Sequence, residues 1–358
     1  KVFFLKHEIM KYNNSFIKTN HIIIESNGEE IASVWTYGWS NSIFCIELPK
    51  EKIKILLTSQ IKPLEFIPFK LDQKTGYESK EFSVTSNKAN LSGTLTLPSN
   101  TDKVPAVVLI CDRGIMDRDA YGLFLSLSDR LSKEGIAVLR FDKRGIGKSE
   151  GAYESSSLED SIGDLKSILN YLESIDSVDK TKIGLVGWGY GGYLGLKFAS
   201  SDERVKFFIS LNSEAFNRTS DAYLEKIQNY LKNIPGLEKD YFNLILESYK
   251  KTFAIARMEK DWTYLLGKKI YIARTKEYLD DNFNGDLKNL KIPLLLLQGK
   301  LDTQVLPEEA KMLQNNIKES GNAACELIYM DNLGHFMGEK ISNGVHRPYI
   351  LIKEDVVK

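Results

Sequence analysis

The sequence predicts an α/β protein in which a doubly wound, mostly parallel sheet follows a small β-rich domain. Continuous apolar runs, such as residues 106–111, are typical of strands that are buried on both faces. Between residues 105 and 211 these runs alternate with longer helical patterns, which indicates parallel βαβ units. Before residue 75, short β-type runs separated by turn residues indicate an antiparallel sheet instead.

Residues 1–75 are therefore predicted to form a small antiparallel β accessory domain. Its strands are expected at residues 16–19, 21–25, 31–37, 43–48 and 53–57. Trp35 and Trp39 are interpreted as core or domain contacts, because aromatic side chains in β-rich modules are mostly buried.

Residues 76–358 are predicted to form the main domain, which opens with a hairpin over residues 80–98. Further strands are expected at 106–111, 136–141, 182–186, 205–211, 292–298 and 326–330, and helices at 121–135, 158–175, 190–200 and 307–319. Residues 212–288 interrupt this alternation and are predicted to form a helical cap insertion, with helices at 223–231, 239–260 and 262–278. Such an insertion would lie over the carboxyl ends of the strands, where open α/β sheets bind ligands.

The composition limits the classes of partner. Lys and Arg number 48 and so do Asp and Glu, so no net charge favours nucleic acid or an anionic membrane. Cys45, Cys111 and Cys325 have no metal-ligand or redox spacing, and no metal or cofactor is predicted.

No apolar run is long enough to span a bilayer, which predicts a soluble protein. The chain begins at Lys1 rather than methionine, which leaves open an export signal that has been removed.

Residues 182–193 carry the most informative pattern. An apolar run ends at a glycine-dense turn and a helical pattern follows, which is the strand–turn–helix context of a G-x-S-x-G nucleophile elbow. Gly187 and Gly191 match the outer glycines, and Gly189 stands at the nucleophile position.

Two residues later in the chain are candidates for the aspartate and the histidine that work with such an elbow. Asp302 comes directly after a buried strand, and His335 lies just beyond the last strand. Asp302 would orient His335, which would act as the general base. In the alternative interpretation, Asp302 only caps the following helix and His335 is a polar loop residue.

From about residue 80 to 340 the chain resembles an α/β-hydrolase of the serine esterase and prolyl-oligopeptidase-like group. Besides the elbow, residues 140–151 (Arg-Phe-Asp-Lys-Arg-Gly-Ile-Gly-Lys-Ser-Glu-Gly) are similar to the family's D-x-R-G-x-G-x-S loop, and residues 117–119 (Asp-Arg-Asp) resemble a segment that follows the oxyanion loop. Within the first loop, Asp142, Arg144 and Ser149 are interpreted as structural. The resemblance implies hydrolysis of a carboxylic ester or amide, with a small ester-like or apolar ligand.

The chain departs from this family at the nucleophile. Gly189 has no hydroxyl group, although glycine adopts the strained conformation of an elbow almost without cost. Loss of the serine of such a triad lowers the rate on the order of a millionfold. The chain is therefore predicted to be inactive or very weakly active as a serine hydrolase.

The oxyanion loop also departs from the family pattern. The resemblance implies that the backbone N–H groups of Arg113 and Tyr190 hold the oxyanion. Asp112 would disfavour a developing oxyanion unless Arg113 or Arg118 neutralises its charge. A laboratory substitution would change one residue, so the unusual loop favours natural loss of the serine.

Three functional hypotheses follow. In the first, the native protein is a serine ester or amide hydrolase and Gly189 is an inactivating change. In the second, it is a natural pseudohydrolase that binds a small ligand. In the third, Gly187, Gly189 and Gly192 form a dinucleotide-binding G-x-G-x-x-G motif with Glu214 as the ribose ligand. The third is disfavoured, because it leaves Asp302 and His335 unexplained.

Overall fold

The structure is a computed structural model. It describes residues 2–12, 15–26, 29–37, 43–48, 53–56, 76–99, 102–214, 224–225, 227–228, 231–232, 239–258, 262–265, 268–272 and 283–337. These residues form two compact units, the first within 1–65 and 227–275 and the second within 66–226 and 276–341. No helix of these described ranges is both long enough and apolar enough to cross a bilayer.

The first unit contains a five-stranded antiparallel sheet whose strands are neighbours in chain order. Its strands are β1 (Val2–Tyr12), β2 (Ser15–Ser26), β3 (Glu29–Tyr37), β4 (Ile43–Leu48) and β5 (Ile53–Leu56). The β-type runs identified in the sequence lie in β2 to β5, whereas β1 was not predicted. Trp39 and the side chain of Trp35 lie outside what the structure describes, so their interpretation stays a prediction.

Between residues 239 and 272 of the insertion, the described residues form a helix and a hairpin. Helix α4 (Lys239–Ala256) agrees with the predicted helix at 239–260. The predicted helix at 262–278 is wrong, because strands β12 (Trp262–Leu265) and β13 (Lys268–Tyr271) pair there as an antiparallel hairpin. The aromatic and β-branched residues of Trp-Thr-Tyr favour an extended chain. Of the predicted helix at 223–231, residues 224–225, 227–228 and 231 are described and helical, and the other four residues lie outside the described ranges.

The second unit is built on an eight-stranded sheet with the order β15-β14-β11-β10-β8-β9-β7-β6. Its strands are β6 (Tyr77–Ser86), β7 (Ala89–Pro98), β8 (Val104–Ile110), β9 (Ala137–Phe141), β10 (Val178–Trp188), β11 (Phe207–Leu211), β14 (Leu294–Gly299) and β15 (Cys325–Met330). β6 and β7 pair antiparallel, and the six strands from β8 to β15 run parallel. This confirms the predicted fold class.

Helices connect the parallel strands of this sheet. They are α1 (Leu123–Lys133), α2 (Leu158–Glu173), α3 (Tyr190–Ala199), α5 (Phe283–Leu287) and α6 (Pro307–Glu319). Ser157 and Asp160 form a capping box that satisfies two backbone N–H groups at the start of α2. The four longer helices, α1, α2, α3 and α6, all begin within two residues of their predicted starts.

The central strand β8 shows why both faces of the sheet are covered. Val108 and Ile110 belong to the same buried cluster as side chains of α2, α3 and α6, whereas Val107 and Leu109 belong to a cluster with side chains of α1 on the other face. Successive residues of a strand point to opposite faces, so a continuous apolar run requires helices on both sides. The carboxyl ends of β8, β10, β11 and β14 consequently meet at one edge of the sheet.

Candidate active site

The turn between β10 and α3 has the backbone that an elbow requires. Gly189 has φ +55° and ψ −120°, in the left-handed half of the map that favours glycine. Its N–H donates to the Leu211 carbonyl at 3.0 Å, and its carbonyl accepts from the N–H groups of Gly192 and Glu214, each at 3.1 Å. A Cβ atom at Gly191 would overlap the carbonyl of Ile110, so α3 packs directly against the end of β8.

Asp302 and His335 are brought together as expected. His335 Nδ1 lies 2.8 Å from Asp302 Oδ2, and both side chains are almost completely buried. The other carboxylate oxygen of Asp302 accepts from the N–H groups of Gln304 and Val305, at 2.7 and 2.9 Å. These contacts fix the carboxylate in the turn after β14 and do not cap α6, which begins after Leu306. Asp302 is therefore placed to orient the imidazole of His335.

Asp112 occupies the space beside Gly189. Its Oδ1 accepts a hydrogen bond from the Tyr190 N–H at 2.7 Å, and its Oδ2 lies 3.0 Å from His335 Nε2. A Cβ atom built at Gly189 would overlap the carboxylate group of Asp112. The side chain is 14% exposed, so it can be reached from solvent. The Asp112 carboxylate thus accepts the hydrogen bond of the Tyr190 N–H, which was predicted to bind the oxyanion. It also fills the space predicted for the side chain of a nucleophile.

The charge of Asp112 is stabilised chiefly by His335. Burial raises the pKa of Asp112, but the hydrogen bond and charge of His335, the Tyr190 N–H and the nearby Arg113 lower it to about 2. Burial lowers the pKa of His335, but the charge of Asp302 and the hydrogen bonds to Asp112 and Asp302 raise it to about 10. At neutral pH, His335 is therefore an imidazolium held between two carboxylates.

The two arginines that could neutralise Asp112 are engaged with other carboxylates. Arg118 donates to Asp142 at 2.7 Å and to Glu81 at 2.9 Å. Arg113 pairs with Glu214, and its guanidinium lies 5.3 Å from the centre of the Tyr190 ring. Arg118 therefore does not neutralise Asp112, whereas Arg113 lowers the pKa of Asp112 as a nearby charge. The role of the Arg113 backbone N–H in an oxyanion hole stays a prediction.

The loop after β9 holds the backbone of residues 112–114. Lys143 Nζ donates to the carbonyl oxygens of Asp112 and Gly114, and the Gly114 N–H donates to the Tyr153 hydroxyl at 2.7 Å. Lys143 Nζ also lies 5.3 Å from the centre of the Tyr153 ring. These contacts fix the loop so that the Asp112 side chain points toward Gly189.

The residues interpreted as structural in the same loop make structural contacts. Asp142 accepts from the backbone N–H groups of Arg118 and Lys148, at 2.7 and 2.9 Å. Ser149 donates to the Asp142 carbonyl at 2.7 Å, and Arg144 pairs with Asp164 on α2. All these partners lie within the loop or on neighbouring elements, and none is a residue of the Asp112–His335–Asp302 cluster.

Two residues that sequence reasoning missed hold the backbone of His335. The His335 carbonyl accepts from the Trp188 indole N–H at 2.8 Å and from the Asn212 side-chain amide at 2.9 Å. Asn212 also donates to the Gly334 carbonyl and accepts from the Gly299 N–H, at 2.9 and 2.7 Å. The amide therefore joins the ends of β11 and β14 to the histidine loop. A buried polar residue directly after a parallel strand is the only sequence signal for it.

We predict that Asn212→Ala lowers the free energy of unfolding by about 2 kcal/mol, because the buried Gly299 N–H loses its acceptor and the Gly334 and His335 carbonyls each lose one of their two donors. Asn332→Ala is the matched control, since Asn332 also has a positive φ (+59°, against +47° for Asn212) but is exposed. Urea unfolding of both variants separates the lost hydrogen bonds from the cost of alanine at positive φ. Equal destabilisation would contradict the role of the amide.

A surface cavity of about 510 Å³ lies away from this cluster. It is lined by residues at the amino ends of β11, β14 and β15, including Phe208, Leu294 and Cys325. The Asp112–His335–Asp302 cluster lies at the carboxyl ends of the parallel strands, so the cavity is not part of the candidate site.

Comparison with known proteins identifies the family of this chain. The family described as Hydrolase_4, serine aminopeptidase S33, matches residues 102–339. Esterase EstD of Thermotoga maritima is 26% identical over 300 residues, which cover 80% of this chain and 66% of EstD. Esterase FrsA of Vibrio parahaemolyticus is 28% identical over 157 residues, which cover 43% of this chain and 36% of FrsA. The chain thus spans about a third of one curated relative and about two thirds of the other.

Solved structures show the same fold. The esterase Pf2001 of Pyrococcus furiosus is 21% identical, with a TM-score of 0.52 over 77% of this chain and 89% of Pf2001. Est1E of Butyrivibrio proteoclasticus with bound ferulic acid is 19% identical, with a TM-score of 0.53 over 71% of this chain and 90% of Est1E. On the family match, which covers more than half of the residues, this chain belongs to the serine aminopeptidase S33 family of α/β-hydrolases.

Proposed function

We propose that this protein has lost serine-dependent ester hydrolysis and keeps the esterase-like cleft as a binding site for a small ester-like or apolar ligand. The observation that carries the proposal is the position of the Asp112 carboxylate. It fills the space beside Gly189 and accepts the Tyr190 N–H that would otherwise stabilise an oxyanion. A serine mechanism requires a nucleophilic hydroxyl and an N–H group available to the oxyanion, and both are therefore missing beside Gly189.

The protonation state of His335 supports the same conclusion. A general base must be unprotonated at the working pH, whereas the pKa of His335 is raised to about 10 between two carboxylates. The resting imidazolium cannot take a proton from water. Direct activation of water in the space beside Gly189 is therefore disfavoured at neutral pH.

The fit between Asp112 and Gly189 supports natural loss over a single laboratory change. A Cβ atom at Gly189 would overlap the Asp112 carboxylate where it now lies, so the present position of Asp112 depends on glycine at 189. The same contact disfavours a dinucleotide site, because a pyrophosphate at the start of α3 would compete with Asp112 for the Tyr190 N–H. We therefore favour natural loss of the serine mechanism, with a retained ligand site, over the two alternatives.

The relatives support the class of ligand. EstD and FrsA are named esterases, and Est1E holds ferulic acid, an aryl-substituted acid. An ester-like ligand with an aromatic or apolar group is the corresponding proposal for this chain.

We predict that 1-phenylpentan-2-one, a ketone isostere of phenyl butyrate, binds saturably in isothermal titration calorimetry, because noncovalent contacts to an ester-like ligand do not require a nucleophile. We also predict that an alkyl fluorophosphonate does not label the chain, because no serine stands at the elbow. An active member of the serine esterase group serves as the positive control for labelling. Absence of saturable ketone binding, or stoichiometric fluorophosphonate labelling, would overturn the proposed function.

A further inference from the structure

The environment of Asp112 differs from that of a structural carboxylate. One oxygen is fixed by a backbone N–H, the other contacts an imidazolium, and the side chain keeps some exposure to solvent. The imidazolium is itself oriented by a buried carboxylate, Asp302. A positioned nucleophile, a proton-transferring imidazole and a group that orients the imidazole are the three parts of a catalytic triad.

We propose that Asp112 is a carboxylate nucleophile for activated acyl substrates, namely aryl esters and thioesters, with His335 as its acid–base partner. The proposal rests on the proposed function only in that the substrate enters the same cleft. In this reaction the nucleophile is Asp112, so no nucleophilic side chain is required at position 189.

In the first step, Asp112 Oδ2 attacks the acyl carbon and the bond from that carbon to the leaving group breaks. His335 Nε2 gives its proton to the departing phenolate or thiolate. The products are a mixed anhydride between Asp112 and the acyl group, a neutral imidazole and a free phenol or thiol. The attacking and leaving atoms are bonded to the same carbon in the tetrahedral intermediate, so the imidazolium beside Oδ2 is close to both.

In the second step, neutral His335 takes a proton from water, and the water oxygen attacks Cγ of Asp112. Formation of the anhydride removes the negative charge that stabilised the imidazolium, which restores the basicity of His335. The oxyanion then develops on Oδ1, which already faces the Tyr190 N–H at 2.7 Å. The bond between Cγ and Oδ2 breaks, the carboxylate product leaves with Oδ2, and Asp112 releases the remaining proton to solvent.

The basicity of Asp112 selects the substrate class. A carboxylate is a weak base, whereas thiols and phenols have pKa values of about 8.5 to 10 and compete with Asp112 as leaving groups once His335, 3.0 Å from Asp112 Oδ2, supplies a proton. An alkoxide is a far stronger base than a thiolate or a phenolate, so the tetrahedral intermediate of an alkyl ester returns to starting material by expelling Asp112 far more often than that of a thioester or an aryl ester. We therefore expect turnover of p-nitrophenyl acetate and no turnover of ethyl acetate.

Heavy-oxygen water tests the route of hydrolysis. A single turnover of p-nitrophenyl acetate, with the protein in excess, is followed by digestion with trypsin in ordinary water. Cleavage after Lys103 and Arg113 releases peptide 104–113, in which Asp112 is the only side-chain carboxylate. We expect one heavy oxygen in this peptide and none in the acetate, because water attacks Cγ of Asp112.

Two variants provide the controls. Asp112→Asn is expected to reduce the release of p-nitrophenol to the rate in buffer. Asp117→Asn, which removes an exposed carboxylate of the same loop, is expected to leave it unchanged. Binding of 1-phenylpentan-2-one by Asp112→Asn shows that the variant is folded.

The outcomes separate the two proposals. Heavy oxygen in the acetate and none in the peptide would mean direct attack by water and would overturn the nucleophilic role of Asp112. Absence of turnover together with ketone binding would also overturn it, and would leave the proposed function intact. Absence of ketone binding would overturn the proposed function, whatever the isotope result.

Discussion

Replacing Asp112 with glycine and Gly189 with serine in the same chain is expected to create hydrolysis of ethyl butyrate at least ~10³-fold above the parent rate. Each substitution alone is expected to leave the rate near that of the parent. Alkyl esters are the informative substrates, because a serine can expel an alkoxide with the help of His335 whereas a carboxylate nucleophile cannot.

The reason for this coupling lies in the shared space. Gly189→Ser alone places a Cβ atom against the Asp112 carboxylate and leaves the Tyr190 N–H occupied. Asp112→Gly alone frees that N–H and lowers the pKa of His335 by removing one carboxylate, but it supplies no nucleophile. Only the double variant has the hydroxyl, the base and the vacant N–H together, so the two effects are strongly non-additive.

The rate of proton release in a pH-stat measures this prediction. Adding His335→Gln to the double variant is the control, since it removes the base while keeping the new serine. A double variant without activity, but with 1-phenylpentan-2-one still bound, would count against Gly189 as a former nucleophile position. Equal activity of Gly189→Ser and the double variant would show that Asp112 does not obstruct the site.

Much of the fold could be predicted from local sequence patterns. The runs that became β8, β10 and β14 are apolar on both faces, and only a sheet covered on both sides accommodates them. The elbow glycines, Asp302 and His335 were predicted because each follows directly from the end of a strand. The hairpin β12–β13 was missed, since helical and extended patterns are hard to distinguish in short aromatic segments.

The contents of the site could not be predicted in the same way. Asp112 lies 77 positions before Gly189, and its overlap with the elbow depends on how closely α3 packs against the end of β8. The Asn212 amide likewise bridges three segments that are distant in the chain. The sequence indicated that Asp112 was unusual, but it suggested arginine as the partner, whereas the structure provides His335 and a backbone N–H.

The second large effect expected is a loss of stability at alkaline pH. The pKa of His335 is about 10 in the folded protein, against about 6.5 for an ordinary histidine of the unfolded chain. Between these values the folded protein keeps a proton that the unfolded chain has released. The stabilisation is therefore complete below pH 6.5 and is lost as the pH rises toward 10, at up to about 1.4 kcal/mol per pH unit.

Urea unfolding at a series of pH values from neutral to alkaline, in the parent and in His335→Gln, isolates this contribution, because other titrating groups are common to both chains. We expect the free energy of unfolding of the parent to fall by a few kcal/mol more than that of the variant. Asp112→Asn should shift the fall to lower pH, since the imidazolium then has one carboxylate partner instead of two. Parallel curves for all three proteins would mean that His335 is neutral in the folded state. In that case His335 could act as a base. The Asp112–His335 ion pair could then not be the reason why this site does not activate water.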